Sequence, residues 1–393
     1  MQNLEQEIHA RFTQLFNKEP LLVRSPGRIN LIGEHTDYND GFVMPAAIDK
    51  DIIFAIAPSD NGESYIYSVK YDERIKVDLK SPEKVEDPAW ANYLLGVLHQ
   101  MVEEGMPVKP FNCVFGGEVP LGAGLSSSAA LECGFAFALN ELFALKIPKI
   151  RLVKMAQWAE HHYAGVKCGI MDQFASVMGK EGHVILLDCR SLEYRYSPMD
   201  LKDFIIVLCD TKVKHKLVDS EYNTRRNECE TGVAILKKYY PEITSLRDVK
   251  PEMLEKHKAE LPGKVYNRCT YVVSEIRRVQ QASRDLDAGD LVAFGKKMYE
   301  THEGLSKLYE VSCKELDFLV EESKKFDKVL GARMMGGGFG GCTINIIKKD
   351  AADRFISHLT KAYREAFSID MRAYKVSIRE GTSVLSKSPA SII

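Results

Sequence analysis

Residues 120–132 read PLGAGLSSSAALE: a glycine-rich turn, three consecutive serines and the beginning of an apolar helix. Gly122 and Gly124 lack a Cβ, so they accept positive φ angles and let the main chain approach a ligand closely. Serine is favoured at helix N-termini, where unpaired N–H groups and a partial positive charge attract anions. The stretch therefore predicts a phosphate-binding turn at a helix N-terminus. The plainer alternative is a turn before a capped core helix.

We call residues 122–128 the serine loop, and two of its features bear on this choice. Three serines exceed what capping requires, and the hydroxyl of Ser128 suits a Mg²⁺ ligand beside a phosphate. The Gly-Lys-Ser/Thr ending of a Walker A loop is absent. Backbone N–H groups must therefore hold a phosphate here without help from a lysine.

A late glycine loop, MGGGFGG at residues 335–341, contains the G-x-G-x-x-G pattern of dinucleotide-binding folds. That pattern needs a strand before it and a helix after it, early in a βαβ unit. Here the strand-like CTINII follows, which disfavours a dehydrogenase. Five glycines in six positions instead predict backbone that packs closely against a ligand or against another glycine loop.

An acidic loop, GEHTDYNDG at residues 33–41, gathers a glutamate, a histidine and two aspartates between two glycines. Arg28 precedes it, and apolar runs flank it on both sides, so we expect the loop to be tied to the core rather than solvated. A calcium-binding loop is excluded, because Gly41 falls one place early and Ile48 is twelfth when counted from Asp37.

The composition of the 393 residues is that of a globular protein: 45% are hydrophobic, 27% are charged and the formal net charge is −2. We therefore expect no nucleic acid and no membrane as partners. The nine cysteines form no C-x-x-C pair, which indicates reduced thiols in a cytoplasmic protein. The amphipathic N-terminal stretch does not read as a signal peptide, and the apolar run 129–145 is too polar to span a bilayer.

Strand-like runs and helices mix in the first half of the chain, and charged helices fill much of the second. The predicted strands cover 21–25, 51–57, 64–69, 74–79, 183–189 and 204–210. The predicted helices cover 90–105, 129–145, 151–165, 220–240, 251–260, 266–287, 288–309 and 313–326. Because no regular βαβ period appears, we predict the α+β class. The polar stretch 190–203 is interpreted as the boundary between a domain of residues 1–195 and one of residues 196–393.

Together the motifs resemble those of the GHMP small-molecule kinases. PLGAGLSSSAALE and the late GGGFGG are typical of that family, whereas GRINLIGEHTDYNDGFVMP (27–45) and CGIMDQFAS (168–176) are similar to its galactokinase branch. The similarity covers nearly the whole chain. It implies an N-terminal domain like the second domain of ribosomal protein S5, a ferredoxin-like C-terminal domain, and a site in the cleft between them.

The resemblance also implies roles for single residues. Asp172 would be the catalytic base, because phosphoryl transfer to a hydroxyl needs an acceptor for its proton. Arg28 would keep that aspartate ionised and stabilise the transferring group. The sugar would contact the acidic loop, whose carboxylates and imidazole bind hydroxyl groups. The implied substrate-binding residues are Glu34, His35, Thr36, Asp37, Asp172 and Tyr222.

The nucleotide would lie on the serine loop. The implied nucleotide contacts are Ser68, Gly122, Ala123, Gly124, Leu125, Ser126, Ser127 and Ser128. Ser128 and Glu160 would hold Mg²⁺. His161 and His162 adjoin Glu160, but neighbouring helix residues point about 100° apart and cannot both face one ion. We therefore assign these histidines no metal role.

The implied activity is ATP- and Mg²⁺-dependent phosphorylation of the 1-hydroxyl of galactose to galactose 1-phosphate, the first committed step of galactose catabolism, by a monomer. Two alternatives stay open. One is the same chemistry on N-acetylgalactosamine or arabinose, because the sequence does not define the pocket around C2 and C5. The other is a non-catalytic sensor of galactose and ATP, which the intact SSSAA run (126–130) and Asp172 disfavour.

Overall fold

A computed structural model describes residues 2–120, 122–213 and 218–386. Its α-helices are α1 (Gln2–Phe16), α2 (Ala91–Glu103), α3 (Ser127–Leu142), α4 (Lys149–Ala159), α5 (Met171–Met178), α6 (Val218–Leu236), α7 (Pro251–Lys256), α8 (Gly263–Asp287), α9 (Leu291–Gly304), α10 (Lys314–Lys324) and α11 (Ala352–Phe367). Its strands are β1 (Leu21–Asn30), β2 (Phe42–Val43), β3 (Pro45–Pro58), β4 (Ser64–Ser68), β5 (Glu73–Val77), β6 (Phe111–Gly117), β7 (His183–Asp188), β8 (Tyr194–Pro198), β9 (Phe204–Asp210), β10 (Val329–Met334), β11 (Cys342–Lys348), β12 (Arg372–Val376) and β13 (Ser383–Ser386).

The first sheet has the strand order β13-β1-β3-β6-β4-β5 and is built on two long buried strands, β1 and β3. Alternate residues of β3 face opposite sides of the sheet, as the two-residue period of a strand requires. Phe54 and Ile56 pack into the main core, whereas Ile53 and Ala55 pack with Phe12 of α1. Because both faces are covered, the strand reads as a continuous apolar run.

Helix α3 lies against this sheet, and twelve of its residues are buried. Gly134 makes a close approach: a Cβ there would lie 2.2 Å from Cε2 of Phe54 and 2.6 Å from Cβ of Ser25. Only glycine allows the helix to pack this close to the strands. The close packing fixes the height of α3 above the sheet, and with it the position of the serine loop at its N-terminus.

The second sheet is antiparallel and has the order β10-β11-β9-β12. Along the chain, β9, β10, β11, α11 and β12 follow the β-α-β-β-α-β path of a ferredoxin-like fold, and helices α6 to α10 occupy its first crossover. The predicted α+β class and the ferredoxin-like second domain are confirmed.

Strands β2, β7 and β8 form a small third sheet. Strand β8 lies inside the polar stretch interpreted as a domain boundary, and sequence reasoning missed it because Ser197 is its single buried residue. The predicted boundary between residues 195 and 196 falls within β8 and stays a prediction. The last strand, β13, returns to pair antiparallel with β1 of the first sheet.

The predicted helices match the observed ones except at their ends. Two of them, 151–165 and 288–309, each finish in a π-helical turn, Glu160–Ala164 after α4 and Leu305–Tyr309 after α9. None of the helices within the described ranges combines the length and the hydrophobicity that crossing a bilayer requires.

Candidate active site

A cavity of about 530 Å³ lies between the serine loop and the late glycine loop, and Arg28 and Asp172 line it. The two loops approach closely at glycines. A Cβ on Gly124 would lie 3.2 Å from the carbonyl oxygen of Met335, and one on Gly336 would lie 3.4 Å from Cα of Gly124. The prediction that the late glycine loop packs closely against another glycine loop is confirmed.

The late glycine loop joins the antiparallel strands β10 and β11. A dinucleotide-binding turn instead leads from a strand into a helix whose N-terminus faces the pyrophosphate. The G-x-G-x-x-G pattern in this loop is therefore not the fingerprint of a dehydrogenase. This agrees with the sequence analysis, which disfavoured a dehydrogenase.

Arg28 on β1 and Asp172 in the first turn of α5 form a two-point ion pair. Nε of Arg28 lies 2.6 Å from Oδ1 of Asp172, and Nη2 lies 2.7 Å from Oδ2. Nη1 donates to the carbonyl oxygen of Gly124 in the serine loop, and the hydroxyl of Ser126 donates to Oδ2 of Asp172. The side chain of Asp172 remains 24% exposed, so an orientated carboxylate faces the cavity.

The serines at the start of α3 do not cap it, contrary to one of the two alternatives drawn from the sequence. Ser126 occupies the N-cap position with φ 56° and makes no capping hydrogen bond with its side chain. Its hydroxyl serves Asp172, as described above, and the hydroxyl of Ser128 donates to Oε1 of Glu160 at 3.0 Å. Because these side chains turn to carboxylates, the backbone N–H groups of the first turn of α3 stay available to an anion.

Glu160 is the first residue of the π-helical turn that follows α4. Such turns are rare and frequently occur at functional sites. Glu160 is buried, and its Oε2 accepts from Nε2 of Gln173 at 2.6 Å. Burial first, and then the charge of Asp172, raise the pKa of Glu160 to about 7. A cation near Glu160 would therefore stabilise the ionised form of its carboxylate.

Glu34 and Thr36 of the acidic loop are already bonded within the protein. Oε1 of Glu34 accepts from Nη1 of Arg333 at 3.0 Å and from N of Gly336 at 2.8 Å, and Oε2 accepts from Nδ2 of Asn30 at 2.5 Å. The hydroxyl of Thr36 lies 2.9 Å and 2.6 Å from two loop carbonyl oxygens. Their implied roles as sugar contacts stay predictions.

His35 lies in an aromatic cluster with Tyr38, Tyr222 and Tyr309. Its ring centroid is 5.5 Å from that of Tyr222 and 4.8 Å from that of Tyr309. Nδ1 of His35 is bonded to the Tyr38 hydroxyl at 2.8 Å, whereas its buried Nε2 has no hydrogen-bond partner. Burial lowers the pKa of His35 to about 4, so the imidazole is neutral at pH 7. An unpartnered buried nitrogen is where a ligand hydroxyl would bind.

Asp37 of the acidic loop faces Gly169, where a Cβ would overlap its carboxylate at 1.8 Å. Burial first, and then the charge of Asp172, raise the pKa of Asp37 to about 7. Asp37 and Gly169 also line a second cavity of about 520 Å³. Asp37 and Asp172 therefore lie close enough to interact electrostatically.

A third cavity, of about 300 Å³, adjoins Ser127 and Ser128 and is more apolar than the others. Its walls include Trp90, Phe115 and Leu131. Ser68 also lines it, and its buried hydroxyl has no hydrogen-bond partner. An apolar pocket with a buried, unpartnered hydroxyl beside the serine loop suits a nucleobase.

Several residues of the site were missed by the sequence interpretation. For two of them the sequence offers a signal, a charged side chain inside an apolar run. Arg333 is the charged residue in the strand before the late glycine loop, and Glu132 interrupts the apolar α3. The missed residues are Tyr38, Trp90, Glu132, Gln173, Glu275, Tyr309 and Arg333.

The arrangement defines a class of protein. A ferredoxin-like domain, a serine loop at a helix N-terminus and an ion-paired aspartate facing one cavity are the parts of a small-molecule kinase of the GHMP type. Models of two parts of that family match the chain: the GHMP kinases N terminal domain at residues 92–180 and the GHMP kinases C terminal domain at residues 282–365. A galactokinase galactose-binding signature matches residues 10–58.

Named relatives agree with these matches. The galactokinase of Thermotoga maritima is 42% identical over 361 residues, which cover 91% of this chain and 98% of that protein. The galactokinase of Roseiflexus sp. is 41% identical and covers 92% of each chain. The chain belongs to the galactokinase family of the GHMP kinases.

Solved structures give the same fold. The crystal structure of Lactococcus lactis galactokinase complexed with galactose has a TM-score of 0.93 at 34% identity and covers 97% of this chain and 99% of that one. The mevalonate kinase of Methanococcus jannaschii has a TM-score of 0.65 at 17% identity over 92% of this chain and 99% of that one. The second likeness concerns the fold alone.

Proposed function

We propose that this chain transfers the γ-phosphoryl group of ATP to the anomeric 1-hydroxyl of galactose and releases galactose 1-phosphate. Its membership of the galactokinase family supports the reaction. The observation that carries the proposal is the two-point ion pair of Arg28 and Asp172 on the wall of the cavity below the serine loop.

Asp172 is the proposed base. Two N–H groups of Arg28 and one hydroxyl hold its carboxylate, which leaves the remaining lone pairs to accept the proton of the sugar hydroxyl. Arg28 favours the ionised aspartate and supplies positive charge beside the transferring group. An anomeric hydroxyl is more acidic than an ordinary alcohol, so a carboxylate is basic enough for it.

His35, Asp37 and Tyr222 are the proposed sugar contacts best supported by their surroundings. The free Nε2 of the neutral His35 accepts from, or donates to, a hydroxyl group. The aromatic face of Tyr222 closes the pocket beside it. A buried polar pocket of this kind rejects sugars that leave its groups unpaired. Glu34 and Thr36 are proposed to position the loop and to contact the sugar with their remaining lone pairs.

The serine loop is proposed to hold the phosphates of ATP, through the N–H groups of residues 122–128, and Ser68 to contact the nucleobase. Mg²⁺ fits the oxygen pair of Ser128 and Glu160, since a buried carboxylate with a raised pKa lacks a nearby cation. Mg²⁺ binds few protein ligands besides phosphate and water. Among the described residues, no group of three or more His, Cys, Asp or Glu side chains is placed to hold a metal ion by itself. Bound there, the ion would neutralise charge on the phosphate oxygens.

The enzyme is proposed to work as a monomer in the cytoplasm. The cysteines are all free thiols, and six of the nine are buried. Unpaired thiols in this number are usual where the compartment is reducing. Size-exclusion chromatography with light scattering tests the oligomeric state.

The function is tested by ADP release from purified protein with Mg-ATP and galactose, glucose, N-acetylgalactosamine or arabinose. We expect galactose-dependent turnover, and a fall in kcat of about 10²- to 10⁴-fold in Asp172→Asn with sugar binding retained. Asp285→Asn is the control, because Asp285 pairs with Lys297 away from the cavity. Binding of sugar and ATP without ADP release would support the sensor instead. Turnover of another sugar instead of galactose would support the same phosphoryl transfer and show that galactose is not the substrate.

A further inference from the structure

The entrance of the acidic loop, residues 30–34, is held by side chains from the second half of the chain. Nε of Arg333 donates to the carbonyl oxygen of Leu31 at 2.9 Å, and Nη2 donates to that of Asn30. The hydroxyl of Tyr271 donates to the carbonyl oxygen of Glu34 at 3.0 Å. Three carbonyl groups of this segment therefore accept hydrogen bonds from side chains of distant elements.

A carboxylate completes this support. N of Gly33 donates to Oε1 of Glu275 at 2.9 Å, and Glu275 also accepts from the hydroxyl of Thr301 and pairs with Arg278. Glu275 is fully buried on α8. N–H and C=O groups of the loop entrance are thus fixed to α8 and to β10.

The same arginine reaches the late glycine loop through Glu34. Arg333 is 0% exposed and Glu34 is 1% exposed. Oε1 of Glu34 accepts from Nη1 of Arg333 and from N of Gly336, so one oxygen joins the acidic loop to the first turn of the late glycine loop. Neither loop moves without breaking a buried, charge-assisted hydrogen bond.

We propose that Arg333 and Glu34 form a clasp that couples the sugar pocket to the nucleotide pocket, with Arg333 as a positioning residue. The inference rests on the proposed function. A sugar bound to the acidic loop fixes Glu34, and Glu34 fixes Gly336 at the wall of the nucleotide cavity. The first ligand to bind then bears the entropic cost of ordering both loops. The second ligand no longer bears that cost, so each ligand tightens the binding of the other. Linkage requires the factor to be equal in both directions.

The test measures the affinity for a non-hydrolysable ATP analogue with Mg²⁺, with and without saturating galactose, and the affinity for galactose with and without the analogue. We expect a coupling factor of about fivefold or more in the wild type. Arg333→Lys keeps the positive charge but loses the planar fork that reaches several acceptors at once. In that variant the coupling factor should fall towards unity while both ligands still bind.

Arg268→Lys is the matched control. Arg268 is also buried, at 1% exposure, and its fork bonds Glu228, Glu310 and the carbonyl oxygen of Leu308, none of which belongs to the acidic or the late glycine loop. Equal loss of coupling in both variants would overturn the clasp, because it would indicate a general effect of losing a buried arginine. Wild-type coupling in Arg333→Lys would overturn it as well.

Hydrogen exchange in the wild type keeps the proposal testable if Arg333→Lys does not fold. Galactose alone should slow the exchange of the Gly336 amide, whose acceptor is Glu34. An unchanged rate would contradict the clasp. Failure of galactose to bind at all would instead contradict the proposed function, whereas independent binding of both ligands would contradict the clasp alone.

Discussion

At the scale of single residues, the site concentrates negative charge. The charge of Asp172 raises the pKa of both Asp37 and Glu160, after burial as the main cause. Arg28 is a cation bonded to this group, and two of its three hydrogen bonds go to Asp172. Positive charge at this cavity is therefore favoured in the free enzyme, and a Mg²⁺ ion at the proposed site of Ser128 and Glu160 would supply it.

The variant Arg28→Lys tests whether the role of Arg28 depends on its positive charge or on its planar hydrogen-bonding geometry. Lysine keeps the positive charge but cannot bond both oxygens of Asp172 in one plane. We expect kcat to fall on the order of 10²-fold with a smaller change in KM for the sugar, measured by ADP release. Arg24→Lys is the control, since Arg24 is buried on the same strand but donates to the carbonyl oxygens of Glu380 and Gly381. A wild-type kcat in Arg28→Lys would exclude the proposed role.

Asp37 should make stability depend on pH. Its pKa is about 7 in the folded protein, so the fold retains a proton that the unfolded chain releases above about pH 4. The contribution of Asp37 to the free energy of unfolding is fully present below about pH 4. It is lost as the pH rises to about 7, by up to about 1.4 kcal/mol per pH unit. Asp37→Asn should therefore gain stability relative to wild type between pH 5 and pH 8.

Urea unfolding at the two pH values measures this difference. Asp327→Asn is a suitable control, because the side chain of Asp327 is 79% exposed. Parallel pH profiles for wild type and Asp37→Asn would show that Asp37 ionises in the fold as it does in the unfolded chain.

Residues that lie together at the cavity were predictable where a motif carries them. Arg28, Asp172, Ser128 and Glu160 were named from the sequence, and the structure brings them together in two hydrogen-bonded pairs. Arg333 could not be found in this way. Its partners lie about 300 positions earlier in the chain, and a single charge in an apolar strand does not reveal what it will meet.

At the scale of elements, the two glycine loops differ in what fixes them. The serine loop is the N-terminus of a rigid buried helix, whereas the late glycine loop is a connection between two strands. Gly338 has φ 92°, and a Cβ there would lie 2.1 Å from the carbonyl oxygen of Val311. The conformation of the late glycine loop therefore depends on the absence of a side chain at this position.

Gly338→Ala should displace the late glycine loop. The strained backbone and the overlap with Val311 together cost about 1–3 kcal/mol, so we expect the affinity for ATP to fall about tenfold, measured by isothermal titration calorimetry. Gly337→Ala is the control, because its Cβ would meet only the Tyr222 side chain at 3.4 Å. Equal nucleotide affinities in the two variants would exclude a special role for Gly338.

Whether a segment forms a helix or a strand could be predicted from the period of its hydrophobic residues, but the ends of the elements could not. The π-helical turn at Glu160 continues the hydrophobic pattern of α4, so a single helix was predicted across both. Strand β8 shows neither an apolar run nor a clean alternation, since four of its five residues are not buried. Local pattern identifies elements that bury a face and misses those that pair at the surface.

At the scale of the whole molecule, the two ends of the described chain meet in one sheet. Strand β13 pairs with β1, and N of Thr382 donates to the carbonyl oxygen of Ser176 at 2.8 Å. The hydroxyl of Thr382 also lies 3.1 Å from that of Ser25. The last strand of the described chain therefore returns to the sheet that β1 begins, and the predicted boundary between residues 195 and 196 does not describe this return.

Removing residues 382–393 should destabilise the first sheet, because it removes β13 and the hydrogen bonds of Thr382. Each lost backbone hydrogen bond contributes about 1 kcal/mol, so we expect a clear fall in melting temperature. The control removes only residues 387–393, which leaves β13 and Thr382 in place. Equal melting temperatures for the two truncated proteins would show that the β1–β13 pairing adds no stability.

The return of β13 also has a consequence for synthesis. Strand β1 leaves the ribosome early, but the strand that covers its outer edge begins at residue 383. At typical translation rates the interval between them is roughly 20 to 70 seconds. During that time the edge of a long apolar strand is open to pairing with another nascent chain. In each newly made molecule, this edge therefore stays without its partner strand until β13 has been synthesised.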